Sequence, residues 1–417
     1  MTVGREFERI QKFKHSGSAV LDGVNYAYVI APYLYDISFV GWCKRLVFSL
    51  FFSTSLRPIN IEGHSLLLFY SCRKKNRPDY DYVITGVRNS LNNDYDYVES
   101  EEQFSLLQFL PTLYRLPSSF KLTSGYEKGL MQRFSVSLLI AKYRTTAVNV
   151  MSVLSGHRSC VVTFCDAHPP ENLFAQMAKA IGIFTVTNQH GQYRLLNHNN
   201  MSPDAEAYAN FVSERMLCWG AATRSEFVKF GVSPERMMIT GWIRQCQRVQ
   251  KSEDGSRTGI LGVMLNGENG KESNFVLIQS AKHVASALAM RYFVRLHPAN
   301  DANNYSHLLD ENCVAIERCG LQDYLAKVDF SIAHMSGAVI EMLCSGSLIY
   351  LLDDGCLADI FCINGLSYKH SDDIVLAVSE DLESPNLSKK RMLELGHWFN
   401  DDSDQPEHIR SAIYFNG

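Results

Sequence analysis

The sequence predicts an α/β protein with two domains, each built around a parallel β-sheet, and three observations lead to this fold class. The chain of 417 residues is too long for one ordinary hydrophobic core. Hydrophobic residues make up 46% of it and charged residues 20%, which is typical of a folded globular chain. In both halves, short apolar runs that end in polar turns alternate with amphipathic stretches, as βα units do.

Composition excludes several classes of protein. A net charge of −4 argues against a nucleic-acid-binding protein that works through a global basic field. The 11 cysteines are odd in number, scattered, and form no CxxC pair, so we expect reduced thiols rather than a disulfide framework, and we predict no metal ligand. The first residues contain no apolar segment of the secretory type, so a cytoplasmic location is expected.

The first half, residues 1–244, is predicted to form the first domain. An apolar run at residues 65–72 predicts a buried strand, and residues 82–87 are interpreted as the next strand. The polar residues 89–102, rich in Asn, Asp and Tyr, predict a loop. Apolar residues recur at helical spacing over residues 128–154, which predicts a helix.

Residues 39–56 are the most apolar and aromatic segment of this half. The segment is short and contains Lys44 and Arg45, so it does not suit a bilayer-spanning helix. We interpret it as a helix packed into the N-terminal core. Its aromatic residues beside two cations, together with the basic cluster at residues 73–75, also fit the surface of a membrane, and this hypothesis stays open.

Two strands in series carry the candidate catalytic residues. Residues 159–165 predict a strand, followed by a polar turn with Asp166 and His168 and then an amphipathic helix. Residues 183–187 predict the next strand, which leads directly to His190. Because the carboxyl ends of parallel strands meet at one edge of a sheet, these side chains are expected to lie close together.

A polar segment at residues 245–258 is predicted to link the two domains. The second domain is predicted at residues 259–395, and residues 396–417 are predicted to form a C-terminal helix that packs back toward the first domain, within a helical pattern over residues 391–415. The strands predicted in the second domain are residues 259–265, 292–296, 313–316, 329–332 and 348–352. Helices are predicted at residues 274–289 and 336–344.

Two strand ends in the second domain carry groups that suit a nucleotide phosphate. After the first strand, Asn266 and Gly267 open a glycine-bearing loop whose backbone amides can approach a diphosphate. The loop matches neither the P-loop nor the dinucleotide pattern GxGxxG. The next strand ends with His297 and Pro298, two residues after Arg295, and an imidazole held at a strand end can donate to a phosphate oxygen.

A helix start supplies the third candidate group. Ser336 is a good N-cap, and the free amides at the start of the helix, beginning with Gly337, can bind an anion. Glu341 follows one to two turns into the helix, where it can accept hydrogen bonds from ribose hydroxyls. Three such groups, each at a strand end of one parallel sheet, predict a nucleotide-binding site far more specifically than any one of them.

With these motifs, the C-terminal half resembles the donor domain of GT-B transferases. The resemblance is strongest to the group that spans bacterial polysialyltransferases, CDP-glycerol glycerophosphotransferases and related capsule or lipopolysaccharide enzymes. His297-Pro298 matches the HP motif of that group, whereas Ser336-Gly337 has glycine in place of the second hydroxyl residue. The resemblance implies a GT-B fold, with two Rossmann-like domains whose parallel sheets face one another across a cleft.

The first half is similar to the same superfamily. Residues 189–193 resemble the HG element of its acceptor domains, and residues 215–241 resemble the segment that leads to the interdomain cleft. The resemblance therefore implies that Gly191, Gly241 and Arg244 lie at the cleft. Within this segment, residues 223–230 predict a helix between strands at 215–219 and 237–239.

The resemblance implies a metal-independent, inverting glycosyltransferase. Its donor is expected to be a sugar linked to CMP, CDP or UDP, which serves as co-substrate with no further cofactor. The acceptor hydroxyl needs a group that takes its proton, and we assign this role to His190, with Asp166 and His168 as alternatives.

The expected acceptor is a bacterial surface polysaccharide, of the capsule, O-antigen or teichoic type, presented as a glycan or on a lipid. No nucleic acid is expected as partner, and peripheral association with the cytoplasmic face of the inner membrane is a further hypothesis. Three alternatives stay open: a CDP-alditol phosphotransferase, a non-hydrolysing UDP-sugar 2-epimerase, and a GT-B binding protein that has lost its catalytic activity.

Overall fold

The computed structural model describes residues 3–71, 78–191, 206–242, 258–267, 270–355, 357–401 and 403–414. The chain forms two compact units. The first unit runs to Trp219, resumes at Thr223 and includes the segment that begins at Ser403. The second unit contains Gly220–Ala222 and all described residues from Thr258 to Asp401. Of the predicted linker at residues 245–258, only Thr258 is described.

The secondary-structure elements follow the alternation that the sequence predicts. The strands are β1 Val20–Leu21, β2 Val24–Asn25, β3 Phe52–Asn60, β4 Leu66–Ser71, β5 Asp96–Phe104, β6 Cys160–Thr163, β7 Phe184–Asn188, β8 Arg215–Cys218, β9 Met237–Ile239, β10 Ile260–Met264, β11 Arg291–Arg295, β12 Cys313–Glu317, β13 Phe330–Ala333, β14 Leu348–Leu352 and β15 Ser367–Tyr368. The helices are α1 Val3–His15, α2 Tyr26–Ile30, α3 Phe39–Phe51, α4 Pro78–Ser90, α5 Phe109–Lys121, α6 Leu130–Leu154, α7 Glu171–Ala180, α8 Glu206–Ala209, α9 Ala221–Lys229, α10 Lys271–Ala287, α11 Leu321–Lys327, α12 Gly337–Cys344, α13 Ser371–Glu383, α14 Pro385–Phe399 and α15 Gln405–Tyr414.

The first unit is built on a seven-stranded sheet in the order β3-β5-β4-β6-β7-β8-β9. Only β3 is antiparallel, and every other neighbouring pair is parallel. All residues of β4 are buried, as expected of a parallel strand covered by helices on both faces. In this unit Leu67 and Val161 of the sheet pack in one hydrophobic core with Leu139 and Tyr143 of α6. The carboxyl ends of β4, β6 and β7 therefore lie at the same edge.

The second unit has a six-stranded, fully parallel sheet in the order β12-β11-β10-β13-β14-β15. Numbered along the chain from β10, this is the order 3-2-1-4-5-6 of the doubly wound Rossmann fold. The direction of winding reverses between β10 and β13, and ligands of such sheets bind in the crevice at that point, beyond the carboxyl ends of the strands. The predicted α/β class with two parallel-sheet units is thus confirmed.

Two predictions in the first half were wrong. Residues 82–87 lie in α4 rather than in a strand, because Val83, Ile84 and Val87 form a buried stripe at helical spacing. The predicted loop at residues 89–102 contains most of β5, whose Tyr97 and Val98 are buried beside β4 and β3. Polar residues conceal the strand in the sequence, because Asp96 and Ser100 are buried within it although they are polar.

The predicted C-terminal helix at residues 396–417, within a helical pattern over residues 391–415, was also wrong in its bounds. It is divided into α14 and α15 by the polar run at residues 400–404, in which Asn400 takes an extended conformation. Asn, Asp and Ser side chains compete for backbone hydrogen bonds and so favour helix ends. In the first unit, α15 packs against α4, where the Arg410 guanidinium donates to the Ser90 carbonyl oxygen at 3.2 Å.

Residues 39–56 form α3 and the start of β3. Arg45 is buried, and its guanidinium donates to the Tyr33 carbonyl oxygen at 3.2 Å and to the Gln132 side chain at 2.7 Å, which ties α3 to α6. The prediction that this helix packs into the N-terminal domain is therefore confirmed, although Phe39 and Val40 remain exposed. Among the described residues, no helix is both long and apolar enough to cross a membrane.

Candidate functional site

Asparagines hold the loop after β10 in place. The backbone N–H of Asn266 donates to Asn274 Oδ1 at 2.7 Å, and Asn274 Nδ2 returns a hydrogen bond to the Asn266 carbonyl oxygen at 2.9 Å. Asn300 Nδ2 donates to the same oxygen at 2.7 Å. Asn274 and Asn300 are both fully buried. These bonds fix the path of the chain into Gly267 at the switch point of the sheet.

His297 lies just beyond β11, against Gly267. A Cβ atom added at Gly267 would lie 3.3 Å from His297 Nδ1, so the absence of a side chain there makes room for the imidazole. Burial lowers the pKa of His297, and the nearby charge of Arg295 lowers that pKa further. Nδ1 accepts a hydrogen bond from the Ala299 amide at 3.1 Å, so a neutral ring carries its proton on Nε2. Pro298, which follows, is exposed.

The start of α12 presents an open helix terminus. Ser336 Oγ accepts a hydrogen bond from the Ala338 amide at 3.2 Å, so the predicted N-cap is present. Gly337 is exposed, and a Cβ atom added there would meet no atom within 4 Å. Glu341 is partly exposed within the same helix. The helix dipole and open backbone at this end suit an anion.

The sequence did not predict a hydrogen-bond network that connects the segment after β13, the turn after β14 and the first turn of α10. His334, immediately after β13, is buried, and its Nε2 lies 2.9 Å from Asp354 Oδ1 in the turn after β14. Ser273 Oγ in the first turn of α10 donates to the other oxygen of Asp354. Both His334 and Asp354 follow a predicted strand, and this position was the signal that could have identified them. The network fixes the loops on either side of the switch point.

Arg295 occupies the end of β11, where its Nε donates to the Cys319 carbonyl oxygen at 3.1 Å. This bond ties β11 to the segment after β12. In the second unit, therefore, the predicted donor-binding residues lie at the carboxyl edge of the sheet or at the start of the helix that follows it, except Glu341, which lies in the middle of α12. Their predicted contacts with a nucleotide stay predictions.

In the first unit, Asp166 lies in the turn after β6 and is almost fully buried. Its Oδ2 accepts hydrogen bonds from the Val212 amide at 3.0 Å and the Ser213 amide at 2.6 Å. Burial raises the pKa of this carboxyl group, against the opposing effect of its hydrogen bonds with Ser213 and Val212. The contacts indicate a positioning role for Asp166, and its predicted role as proton acceptor stays untested.

His168 and His190 lie side by side at this edge, with ring centroids 6.1 Å apart. The His190 ring also contacts Phe164, at 5.5 Å between centroids, and Tyr80, at 5.8 Å. The fold brings Cys165 to the same place: its Sγ atom and a ring nitrogen of each histidine all lie within 4.8 Å of one another. A thiol and two imidazoles are a possible set of metal ligands, which spacing in the sequence did not indicate.

Of the three predicted cleft residues, two are described. Gly191 follows His190 directly, and within the part of the chain that the structure describes, a Cβ atom added there would meet no atom within 4 Å. Gly241 follows β9 with a φ of +79°, a conformation that glycine adopts without strain. Next to it, the Trp242 ring stacks on Trp219 with centroids 4.4 Å apart. Arg244 lies outside the described residues.

Comparison with known proteins shows similarity in structure only: no protein family and no curated protein matches the chain in sequence. The lipopolysaccharide outer core galactosyltransferase WaaB is similar with a TM-score of 0.53 and 12% identity, over 83% of this chain and 98% of WaaB. A protein from Listeria monocytogenes, provisionally assigned as a UDP-N-acetylglucosamine 2-epimerase, gives a TM-score of 0.50 and 10% identity, over 82% of this chain and 94% of its own.

A UDP-GlcNAc 2-epimerase from Methanocaldococcus jannaschii, solved with UDP-GlcNAc and UDP, has a TM-score of 0.45 at 11% identity, over 83% of this chain and 97% of its own. That score is too low to support an argument. The first two matches show that the chain has a GT-B fold, as the sequence predicts. The narrower resemblance to polysialyltransferases and glycerophosphotransferases stays a prediction.

Proposed function

We propose that this chain is a glycosyltransferase whose nucleotide-activated sugar donor binds at the switch point of the second unit. The observation that supports this most directly is the convergence at one sheet edge of a glycine-bearing loop, an open capped helix and the imidazole of His297. Sheets with this strand order bind nucleotides at the corresponding crevice. The fold shared with a galactosyltransferase is consistent with the proposal.

Each group in the second unit has a proposed role toward the donor. The amides at the start of α12 bind the leaving phosphate, and the open backbone at Gly337 permits close approach. His297 donates from Nε2 to a phosphate oxygen, while Glu341 accepts hydrogen bonds from ribose hydroxyls. Because dipolar groups then stabilise the departing phosphate, we propose that its departure is metal-independent. We also propose that the acceptor hydroxyl attacks directly, on the face of the sugar opposite the phosphate, so that the displacement is inverting. The fold shared with a protein named for a UDP-sugar makes UDP the first nucleotide to test, ahead of CDP and CMP.

A proton acceptor for the attacking hydroxyl is proposed in the first unit. His168 and His190 lie at its sheet edge, partly exposed, and an imidazole suits this role near neutral pH. His190 is the first candidate because it adjoins Gly191, where an added Cβ atom would meet no atom of the described residues within 4 Å. Asp166 is a weaker candidate because its carboxylate is buried in contact with two backbone amides.

An exposed apolar surface in the first unit supports a membrane-borne acceptor. It comprises outward residues of α3, α5 and α6 and of the segment between β5 and α5. Leu107 is 84% exposed and Leu110 is 71% exposed, although large apolar side chains are usually buried. The other exposed members are Phe39, Val40, Phe104, Leu106, Tyr114, Leu130 and Met131. The three helices pack on one another, so their outward residues lie in one region.

The charge of these helices favours an anionic lipid surface. None of α3, α5 and α6 contains Asp or Glu, whereas Lys44, Lys121 and Arg133 are basic and reach solvent. Apolar side chains that insert beside cations bind the interface of an anionic bilayer. We therefore propose peripheral binding to the cytoplasmic face of a bacterial inner membrane, with a lipid-linked or surface-polysaccharide acceptor.

Liposome flotation tests the membrane part of the proposal. Vesicles with about 30% phosphatidylglycerol should carry the protein, and neutral phosphatidylcholine vesicles should carry much less. Replacing Leu107 and Leu110 by Ser should reduce binding at least fivefold, since two inserted side chains are lost. The matched control replaces Leu376 and Leu387, which are 64% and 69% exposed in the second unit. Equal binding of both double variants would contradict the proposal.

Calorimetry with UDP, CDP and CMP tests the donor site. At least one nucleotide should bind, and His297→Gln should weaken that binding about five- to tenfold, the value of one lost hydrogen bond. His307→Gln is the control, because His307 is exposed in the same unit but lies away from the strand ends named above. Binding of no nucleotide would instead indicate a GT-B protein that has lost its activity.

Turnover distinguishes the remaining alternatives. A 2-epimerase should convert UDP-GlcNAc without any acceptor, whereas a glycosyltransferase should release UDP only when acceptor is present. A CDP-alditol phosphotransferase should release CMP from CDP-glycerol. His190→Ala and His297→Ala should each abolish sugar transfer in folded protein. If both variants retain full turnover, the assigned site is wrong.

A further inference from the structure

The cluster formed by Cys165, His168 and His190 has the composition of a transition-metal site. Its three potential ligand atoms lie within 4.8 Å of one another. Tetrahedral coordination by zinc, with bonds of about 2.0–2.3 Å, requires separations of roughly 3.3–3.6 Å between ligand atoms. The separations between ligand atoms therefore need to shorten by up to about 1.2–1.5 Å, which rotation about the χ angles of the side chains can provide.

We propose that Cys165, His168 and His190 bind one transition-metal ion of the zinc class. One thiolate and two imidazoles select zinc over magnesium or calcium, which prefer oxygen ligands. Cys165 is buried, while both histidines are partly exposed, so the ion enters from the side of the imidazoles. Three protein ligands leave one coordination position for water, as in catalytic rather than structural zinc sites.

The turn that carries Cys165 and His168 is already held in position for this geometry. The His168 amide donates to the Cys165 carbonyl oxygen at 3.3 Å, which brings the two side chains together across a C-x-x-H spacing. The Cys165 amide donates to the buried carboxylate of Glu171, which also accepts from the Ser71 amide at 2.7 Å. Asn210 Nδ2 donates to the carbonyl oxygen of residue 167 at 2.7 Å. Such support lowers the cost of assembling the ligands.

The segment that carries His190 is fixed as well. The Trp219 amide donates to Gln189 Oε1 at 2.8 Å, and the Trp219 indole donates to the Gln189 carbonyl oxygen at 3.0 Å. Phe164 and Tyr80 pack against the His190 ring. An apolar wall beside imidazole ligands limits access of water and strengthens the bonds to a metal. Both ligand-bearing segments are therefore positioned before any ion binds.

A metal ion at this site would change which group takes the proton of the acceptor hydroxyl in the proposed transfer reaction. Only this consequence of the metal site rests on the proposed function. A zinc-bound water has a pKa near 7, so its hydroxide form can take the proton of the acceptor hydroxyl and become water again. His190 would then act as a ligand rather than as the base itself. Metal binding is measured without substrate, so the metal site can be present even if no nucleotide donor binds. The donor proposal can likewise hold if the cluster binds no metal.

Two measurements on the full chain test the site. Zinc should bind at one equivalent per chain in a competition titration against a chromophoric chelator. Cobalt(II) should give a thiolate-to-metal charge-transfer band in the near ultraviolet, which reports on cysteine ligation directly. Cys165→Ser should abolish the band, and His168→Gln and His190→Gln should each weaken zinc binding at least tenfold. Circular dichroism confirms that each variant is folded.

Control variants use the same residue types outside the cluster. Cys160→Ser changes a buried thiol five residues away, and His157→Gln changes an exposed imidazole in the same unit, so both should bind zinc as the unmodified chain does. The proposal is overturned if the triple variant at the three positions retains the zinc affinity of the unmodified chain. It is equally overturned if cobalt(II) gives no thiolate band with the unmodified chain, whatever the variants show.

Discussion

Asp166 and His190 follow neighbouring parallel strands at the same sheet edge, but their surroundings differ. The Asp166 carboxylate is 1% exposed and accepts hydrogen bonds from two backbone amides. His190 is partly exposed. A position at the end of a strand therefore identifies polar residues that are candidates for a functional site. The burial of each side chain then decides whether it supports the fold or is available to a ligand.

Substitution of Asp166 separates these two roles. Asp166→Ala should lower the free energy of unfolding by about 2–4 kcal/mol, because it leaves the amides of Val212 and Ser213 without an acceptor. Asp166→Asn keeps one oxygen and should cost about 1 kcal/mol. Urea unfolding measures both. If instead Asp166→Asn leaves the stability unchanged and abolishes turnover, Asp166 is the base.

The raised pKa of Asp166 makes the free energy of unfolding depend on pH. A carboxyl group whose pKa is higher in the folded chain contributes stability below the ordinary value of 3.8, and this contribution is lost as pH rises through the folded value. Asp166→Asn removes that dependence. The stability difference between the unmodified chain and Asp166→Asn should therefore shrink as pH rises above 3.8, as measured by urea unfolding.

Gly337 offers a substitution that affects binding alone. A Cβ atom at this position would meet no atom of the described residues within 4 Å, and alanine is a better helix former than glycine. Gly337→Ala should therefore be as stable as the unmodified chain or up to about 1 kcal/mol more stable. The same methyl group would occupy the space proposed for phosphate. Nucleotide affinity, measured by calorimetry, should fall about tenfold.

The control for this substitution is Gly129→Ala. Gly129 precedes α6 in the first unit, and an added Cβ atom there also meets no atom within 4 Å. It should leave nucleotide affinity unchanged. If Gly337→Ala binds nucleotide as well as Gly129→Ala does, the phosphate does not lie at the start of α12.

At the scale of single residues, the sequence could identify groups that follow a strand. His190 and His297 were found in this way, since a short apolar run followed by a polar turn is a local signal. The approach of Cys165 to two histidines depends on the register of β6 beside β7, which is not a local property. The contact between His334 and Asp354 likewise requires that β13 and β14 be known as neighbours.

Elements were predictable where one periodicity dominated. The bounds of β9 and β14 agree with the predicted residues 237–239 and 348–352, because both strands are short, apolar runs between turns. In α4 the β-branched residues suggested a strand, although their buried positions recur at helical spacing. In β5 the polar residues suggested a loop, since the buried positions were in the minority. Tertiary packing decided both cases.

The C-terminal helix α15 is an element whose stability contribution can be measured. Ile413 is 1% exposed in the first unit, so Ile413→Ala should lower the free energy of unfolding by about 2–4 kcal/mol through loss of buried contacts and the cavity that remains. Tyr414→Phe is the control, since Tyr414 is 42% exposed. This substitution should change the free energy of unfolding by less than about 0.5 kcal/mol. Equal effects of the two substitutions in urea unfolding would show that α15 is not docked.

At the scale of the whole molecule, each unit has a hydrophobic core of its own. In the first unit the core includes Leu139, Tyr143 and Phe174, and in the second it includes Val263, Ile278 and Ile332. The two proposed sites are assigned to separate units, with the donor at the second sheet and the proton acceptor at the first. A ligand for one site should therefore stabilise the unit that binds it before it affects the other.

Hydrogen exchange with the nucleotide that binds best tests this assignment across the chain. Protection should appear at the loop from Leu265 to Gly267, near His297, and at the first amides of α12, because these backbone groups bind or support the phosphate. Exchange at β6, β7 and residues 165–168 should stay unchanged in the absence of acceptor. His297→Gln, at equal nucleotide concentration, should show weaker protection at the same amides. Protection centred on the first unit instead would place the nucleotide on the other sheet and reverse the assignment of donor and acceptor.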